Sequence, residues 1–568
     1  MKSNGEREFT GRFEQHEKEL KRCWDELYYG DSKSFEALKE MLRRAWEERP
    51  DKLKDTDRRR EKQPDWYRKQ DLTGFRLDAG AVRGSLRDLA GRLEELAEQG
   101  VNCLFLTSVL EDADSRQGDQ YAVSSFRKIR PELGTTADLA ELADRCWEKG
   151  MLISLDLPMH HTGSAHEWAA RARAGEKAYQ DRYLFFGDRM IPAAFEQMMR
   201  PGPAGTRPGH FTWCEEAGKL VMTTFRSWQW DLNYANPAVF LEMAENLLYL
   251  CNRGMDILCL EGLPWLWKAP GTVCFNLQQS HTLVRMFRMI CDTVCPGVLL
   301  LGEADGPEEA AAWAGTAEKP ECHLLADRTG APTFWHTAAT RDARLLAHRL
   351  RRLIRLPKTC FFLNELRNGE ELRWNLDYGY LAGQGQQEAP HRAFLNDYFS
   401  GRWEGSPARG ILTQNEAGED EGIRGTAEML CGLQAAGEPD DPEGPDRAAR
   451  LEEMLHALML TLSGMPVLYD GDEKAPGLRR LEELRKKLCV FSPEADGWLP
   501  DPGSDHLLAI GRYARGEQLL ALFNFADTEE TARLYDAYEY TDQETGTAGD
   551  AGMVPVPARG YRWLIHRF

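Results

Sequence analysis

Short apolar runs that end in an acidic residue recur along this chain, and they restrict its fold more than any other feature. The clearest is Met255-Asp-Ile-Leu-Cys-Leu-Glu-Gly-Leu-Pro264. Ile257 to Leu260 read as a buried strand after the breaker Gly254, and Glu261 with Gly262 ends it. Such a strand delivers a carboxylate to the rim of a sheet. Comparable runs stand at 73–77, 101–107, 151–156, 297–303, 322–327, 359–364 and 465–470, and helical patterns separate them. Eight strands alternating with helices predict an α/β fold, a closed (β/α)8 TIM barrel. Five of the runs end in acids: Asp156, Glu261, Glu303, the group Glu365/Glu370/Glu371, and the pair Asp470/Asp472. Chemistry in such barrels sits where the carboxyl ends of the strands meet. Carboxyl groups crowded there drive one another's pKa values apart.

The flanks differ from the barrel. Residues 1–72 are highly charged, with Trp24, Leu27 and Tyr28, then Leu38, Met41, Leu42 and Trp46, at helical spacing. They predict a helical N-terminal domain, with 52–69 as a polar connector. The barrel is expected over 73–495, with insertions at about 160–235 and 377–446. From 503 to 568 short strands follow one another without helices, which predicts a C-terminal β-sandwich domain.

Charge narrows the partners. Lys and Arg number 71 against 91 Asp and Glu, a net charge of −20, which disfavours nucleic acid and anionic membranes. Thirteen cysteines without CxxC pairing read as free thiols in a reducing compartment. The opening Met1-Lys-Ser-Asn-Gly lacks a signal-peptide core, and no apolar run reaches the ~18 residues of a membrane span, so a cytoplasmic location is expected.

Two carboxyl groups on one rim suit retaining glycoside chemistry, with one as nucleophile and the other as acid/base. Tyr121, Phe225, Trp228, Trp230, Trp265 and Trp267 are candidate stacking platforms for sugar rings. His160-His161 offers hydrogen bonds to sugar hydroxyls. Adjacent residues on an extended strand face opposite ways, so the pair does not predict a metal site. Neither metal nor cofactor is expected.

Asp156-Leu-Pro-Met-His-His-Thr162 resembles the third-strand motif of the alpha-amylase family of glycoside hydrolases. Tyr121-Ala-Val-Ser-Ser-Phe-Arg127 and Leu133-Gly-Thr-Thr-Ala-Asp-Leu139 resemble that family's preceding loop. Within the family the resemblance is closest to the amylosucrases. It is carried by Thr223-Thr-Phe-Arg-Ser-Trp-Gln-Trp-Asp-Leu-Asn-Tyr-Ala-Asn-Pro237, by the segment from His166 to Gly175, and by Leu53 to Asp57 with Gln63 to Trp66. The resemblance implies Glu261 as nucleophile, Glu303 as general acid/base and Glu370 as the third acid. It also implies Tyr121, Asp156, His161, Phe225 and Trp228 as substrate-binding residues, and sucrose or an α-glucan as ligand.

The motifs also depart from the family. Glu261 replaces an aspartate, Cys259 an arginine, Gly369-Glu370 a histidine-aspartate pair, and His160 an asparagine. A carboxylate displaced by ~1 Å costs ~100-fold in rate. Losing the arginine removes a cation and a fixed donor fork beside the nucleophile. Two expectations follow. One is retaining glucosyl transfer or hydrolysis, altered or impaired by the changed motifs. The other is an inactive relative that binds glucan or a partner enzyme through the same cleft. The oligomeric state is left open.

Overall fold

The computed structural model describes residues 4–78, 84–112, 121–202, 209–367, 371–415, 418–435, 443–535 and 538–568. Eight parallel strands close a barrel: β1 (Gly74–Asp78), β2 (Cys103–Thr107), β3 (Leu152–Pro158), β4 (Ile257–Glu261), β5 (Leu299–Ala304), β6 (Leu324–Asp327), β7 (Phe362–Glu365) and β8 (Met465–Tyr469). They hydrogen-bond in the order β1-β8-β7-β6-β5-β4-β3-β2, and β2 closes on β1. Each of the eight predicted runs supplies one strand.

The two-residue period of a strand decides what lies inside. Ile257, Cys259, Leu299, Leu301, Leu363, Met465 and Val467 fill the barrel interior, while Leu258, Leu260, Leu300 and Leu325 face the helices. Tyr67 and Leu72, just before β1, close the floor. Carried one step further up each strand, the inward series reaches Arg76, Asp156, Glu261, Glu303, Glu365 and Tyr469. The apolar plug therefore ends in an ionisable layer at the carboxyl-terminal mouth.

The N-terminal helices α1 (Asn4–Tyr28), α2 (Ser32–Glu48) and α3 (Asp51–Glu61) share one core with the barrel helices. Trp24 meets Phe240 at 5.9 Å, and Phe240 stacks on Phe287 at 4.6 Å. The expected polar connector is a helix over half its length, because Asp51 sits in its first turn and Arg58, Arg59 and Arg60 in its last. Its docking point is an ion pair. Arg49 donates to Asp57 at 2.6 and 2.9 Å, and both side chains are buried. Arg49 also donates to the carbonyl of Cys251 at 3.0 Å, and Asp57 accepts from the N–H of Gly297 at 3.1 Å.

The expected single helix over about 334–352 is two, Gly330–Thr340 and Arg344–Ile354. Arg341 at φ 60° turns the chain between them, and Asp342 accepts from the N–H of Arg344. The first insertion carries a three-stranded sheet and the ribbon His161–Gly163 with Gln229–Asp231. The second carries helices and the hairpin Ile411–Gln414 with Asp420–Arg424. The C-terminal part is a six-stranded antiparallel sheet with a two-stranded ribbon. Asp496–Trp498 already pairs into that sheet, ahead of the expected boundary. Arg512 anchors it to the barrel by donating to the Thr461 carbonyl at 2.7 Å. All thirteen cysteines are unpaired. Among the described residues no helix is long and apolar enough to cross a membrane.

Removing one member of a buried ion pair leaves an uncompensated charge. Arg49→Met is therefore expected to cost ~3 kcal/mol in urea unfolding. Replacing Asp57 by Leu in the same chain should recover part of that loss. A single variant as stable as the parent would mean that the pair does not hold the helices to the barrel.

Candidate active site

The mouth opens into a cavity of about 1270 Å³. Its floor is set by strand register. Cys259 lies beside Asp156 across the β3–β4 ladder, and Glu261 lies beside Pro158. One carboxylate oxygen of Asp156, one of Glu261 and the Cys259 sulfur all lie within 4.8 Å of one another. Glu303 ends the inward series of the next strand. Gly262 follows Glu261 at φ 74°, and a Cβ there would stand 2.5 Å from that of His160. Only glycine fits this turn, and it fixes where the β4 carboxylate emerges.

Arg76 is the cation of this layer. It rises from β1 between Phe105 and Tyr469 and donates to Glu365 at 2.5 Å, and Tyr469 donates to the other Glu365 oxygen at 3.1 Å. Its charge is felt by Glu365, Asp156 and Glu303. Burial pushes the Glu365 carboxyl up, and Arg76 opposes that rise. Asp156 is pushed up to about 8, by burial first, with Arg76 opposing and Glu303, Glu365 and Asp78 adding to the rise. Its Oδ2 has no hydrogen-bond partner among the described residues. Burial therefore favours the protonated form of Asp156 at neutral pH. Burial also raises the Cys259 thiol, which stays protonated.

A second network lies beside this layer. Lys268, on the loop after β4, places Nζ 3.0 Å from Asp231 Oδ2 and 2.8 Å from His160 Nε2. Thr224 donates its N–H to Asp231 at 2.8 Å and its hydroxyl to the other oxygen. Burial holds His160 down at about 3, so it is neutral and the ion pair is Lys268 with Asp231. His160 Nε2 also lies 3.1 Å from the same Asp231 oxygen, and His160 Nδ1 lies 3.2 Å from His161 Nδ1. His161 then donates from Nε2 to the Tyr121 carbonyl at 3.2 Å. The two rings meet through their nitrogens rather than facing opposite ways, because His160 sits in a bend and the strand begins only at His161.

The predicted site residues divide as follows. Tyr121, His161, Phe225, Trp228, Glu261 and Glu303 all line the cavity. Asp156 lies beneath them in the buried layer. Phe225 packs on His160 at 4.5 Å and on Trp265 at 6.0 Å. Trp230 is core, against Tyr183 and Phe185, and offers no platform. Glu370 lies outside the described residues. Glu371 is held by Arg373 at 2.6 Å. Asp472 accepts from the Tyr469 N–H at 2.9 Å, and Asp470 pairs with Arg92 at 2.9 Å, so this acid pair serves structure. Sequence reasoning missed Arg76, Lys268 and Asp231. The available signal for Arg76 was a lone arginine on the inward phase of an apolar strand.

Comparisons with known proteins agree with this architecture. Residues 49–324 match the family described as "Alpha amylase, catalytic domain". The chain is 27% identical over 440 residues to the trehalose synthase of Pimelobacter sp. (strain R48), which covers 73% of this chain and 68% of that protein. It is 27% identical over 416 residues to the glucosylglycerate phosphorylase of Spirochaeta thermophila, which covers 67% of this chain and 64% of that protein. The chain thus spans about two thirds of these relatives' own length. Among solved structures, trehalose-6-phosphate hydrolase from Bacillus licheniformis superposes with a TM-score of 0.63 at 14% identity, over 88% of this chain and 99% of that one.

The raised Asp156 carboxyl has a consequence for stability. Its folded value of about 8 stands above the ordinary 3.8, so the folded protein binds more protons between those limits. The stability tied to this group is full below about pH 4 and is lost as pH rises through about 8. Asp156→Asn removes that dependence. Between about pH 5 and 8 the parent should lose on the order of 4 kcal/mol relative to the variant, read from urea midpoints. Parallel pH profiles would rule out a neutral Asp156.

Proposed function

We propose that this chain, whose residues 49–324 match the alpha-amylase catalytic-domain family, transfers an α-glucosyl group by a retaining mechanism. Glu261 attacks the anomeric carbon, and Glu303 protonates the leaving oxygen and then activates the acceptor or water. The observation that carries this reading is the buried Arg76 guanidinium amid Glu365, Asp156 and Glu303. It supplies a cation in the layer where Cys259 supplies none. With Asp156 protonated, that cation balances carboxylates that would otherwise repel one another. The longer Glu261 side chain starts from a strand end that the Gly262 turn fixes, so its extra methylene is directed into the mouth.

The amylosucrase resemblance favours sucrose or an α-glucan as donor. The trehalose synthase and glucosylglycerate phosphorylase relatives extend the class to α-glucosides of other small hydroxy compounds. The aromatic wall of Phe225, Trp228 and Trp265 suits a glucosyl ring.

An α-glucosyl fluoride tests the nucleophile directly, since fluoride leaves with little help from an acid. Fluoride release is expected from the parent, lost in Glu261→Gln, and lowered by ~100-fold or more in Arg76→Met. Arg76→Lys keeps the charge and should retain more activity than Arg76→Met. A folded parent that releases no fluoride yet binds maltose or sucrose by calorimetry would make the barrel a binding module instead.

A further inference from the structure

We propose that Cys251, Cys291 and Cys295 form a metal site at the amino-terminal end of the barrel, where three thiolates hold one soft ion of the zinc or monovalent-copper class. The site lies outside the mouth, and the inference does not rest on the catalytic reading.

Topology brings the three sulfurs together. Cys251 is the last residue of the helix Pro237–Cys251, which leads into β4. Cys291 lies in the last turn of the helix Gln278–Val294, which leads into β5, and the two helices are in contact. Cys295 is the next residue after that second helix. It leaves the helical path at φ −142° and ψ 61°, while its N–H still donates to the Cys291 carbonyl at 2.7 Å. Pro296 and Gly297 then turn the chain, and the N–H of Val298 donates back to the Cys295 carbonyl at 2.9 Å. The result is three sulfurs that all lie within 4.8 Å of one another. Sulfurs bound to one ion at ~2.3 Å stand ~4 Å apart, so an ion fits between them with small side-chain shifts. Among the described residues this is the one group of three cysteines so placed.

The surroundings suit a charged centre. All three cysteines are fully buried, at 0% exposure. Three thiolates around a divalent ion leave one negative charge, and a cation stands beside it. Arg49 donates from Nη1 to the Cys251 carbonyl at 3.0 Å and to Asn252 Oδ1 at 3.2 Å, and its charge acts on both Cys251 and Cys295. Such a second shell is what holds and balances metal ligands. Asp57 accepts from the other edge of Arg49 and from the N–H of Gly297, and it is not part of the sulfur group. A donor set of sulfur alone selects zinc or monovalent copper over calcium and magnesium. Structural zinc takes four ligands and would need one more donor here, whereas three sulfurs satisfy monovalent copper. Binding exchanges three thiol protons for the ion, and the protons pass to solvent. The ion would tie together the two helices that flank β4, at the end of the barrel that serves stability rather than chemistry.

The metal content of the full chain tests this. The protein is purified under reducing conditions without chelator, from cells grown with added zinc or with added copper, and metal is counted by plasma mass spectrometry. About one ion per chain is expected. X-ray absorption at the metal edge should show sulfur neighbours, at ~2.3 Å for zinc. Cys291→Ser should lower the content about tenfold or more. Cys146→Ser, at a buried cysteine outside the group, should leave it unchanged. Copper with three sulfur neighbours would support the site as three-coordinate, and zinc with three sulfurs and one lighter neighbour would support it with an added ligand. A folded parent that carries no metal from either growth overturns the site. So does a metal whose neighbours are only oxygen and nitrogen, or a content that Cys291→Ser leaves unchanged. Should Cys291→Ser fail to fold, the content and absorption spectrum of the parent decide alone.

Discussion

The guanidinium of Arg76 is the interaction on which the barrel mouth depends. Parallel strands that end in acids bring carboxyl groups together at one rim, and an apolar plug beneath them offers no counter-charge. Unpaired, such a layer would oppose closure of the barrel. Arg76 enters from β1, the strand opposite in the sheet order to the acid-bearing β4 and β5, and its bond to Glu365 joins β1 to β7 across β8. One side chain thus ties the closing strands of the barrel and sets which carboxyl groups can be ionised. Asp156 is the member whose protonated form is favoured, because burial raises its carboxyl and its Oδ2 has no hydrogen-bond partner among the described residues.

This arrangement gives a physical reading of the altered motifs. In the family resemblance an arginine stands two residues before the nucleophile, next to the aspartate of β3. Here Cys259 occupies that position, against Asp156 in the ladder. A thiol needs no counter-ion, and a protonated Asp156 needs none either. The positive charge stands instead on β1.

The fold was legible because it rests on local patterns. Each barrel strand is a short apolar run bounded by a glycine, a proline or an acid, and each helix between them shows its period in sequence. The family motifs extended that legibility to Tyr121, His161, Glu261 and Glu303, all of which line one cavity. What escaped were residues whose meaning comes from packing. Trp230 looks like a platform until Tyr183 and Phe185 are found against it. Lys268 is one lysine among many until the loop after β4 brings it to Asp231 from the first insertion. Helix α3 was hidden by its charge. Its burial depends on Asp57 meeting Arg49, a contact that no periodicity encodes.

The same distinction separates the floor of the mouth from its rim. The floor is dictated by strand register and the two-residue period, so its ionisable groups have fixed neighbours. The rim is built by loops, and there the buried ion pair of Lys268 with Asp231 does what a backbone ladder cannot. It binds the loop after β4 to the insertion after β3, and through His160 and His161 it reaches the Tyr121 carbonyl. Three segments far apart in sequence are joined through one chain of hydrogen bonds on the wall that faces Glu261. Under the proposed retaining reading, a glucosyl ring beside that wall meets polar atoms that already have partners, and the carboxyl groups of the floor are the groups that act on its reacting carbon and oxygen.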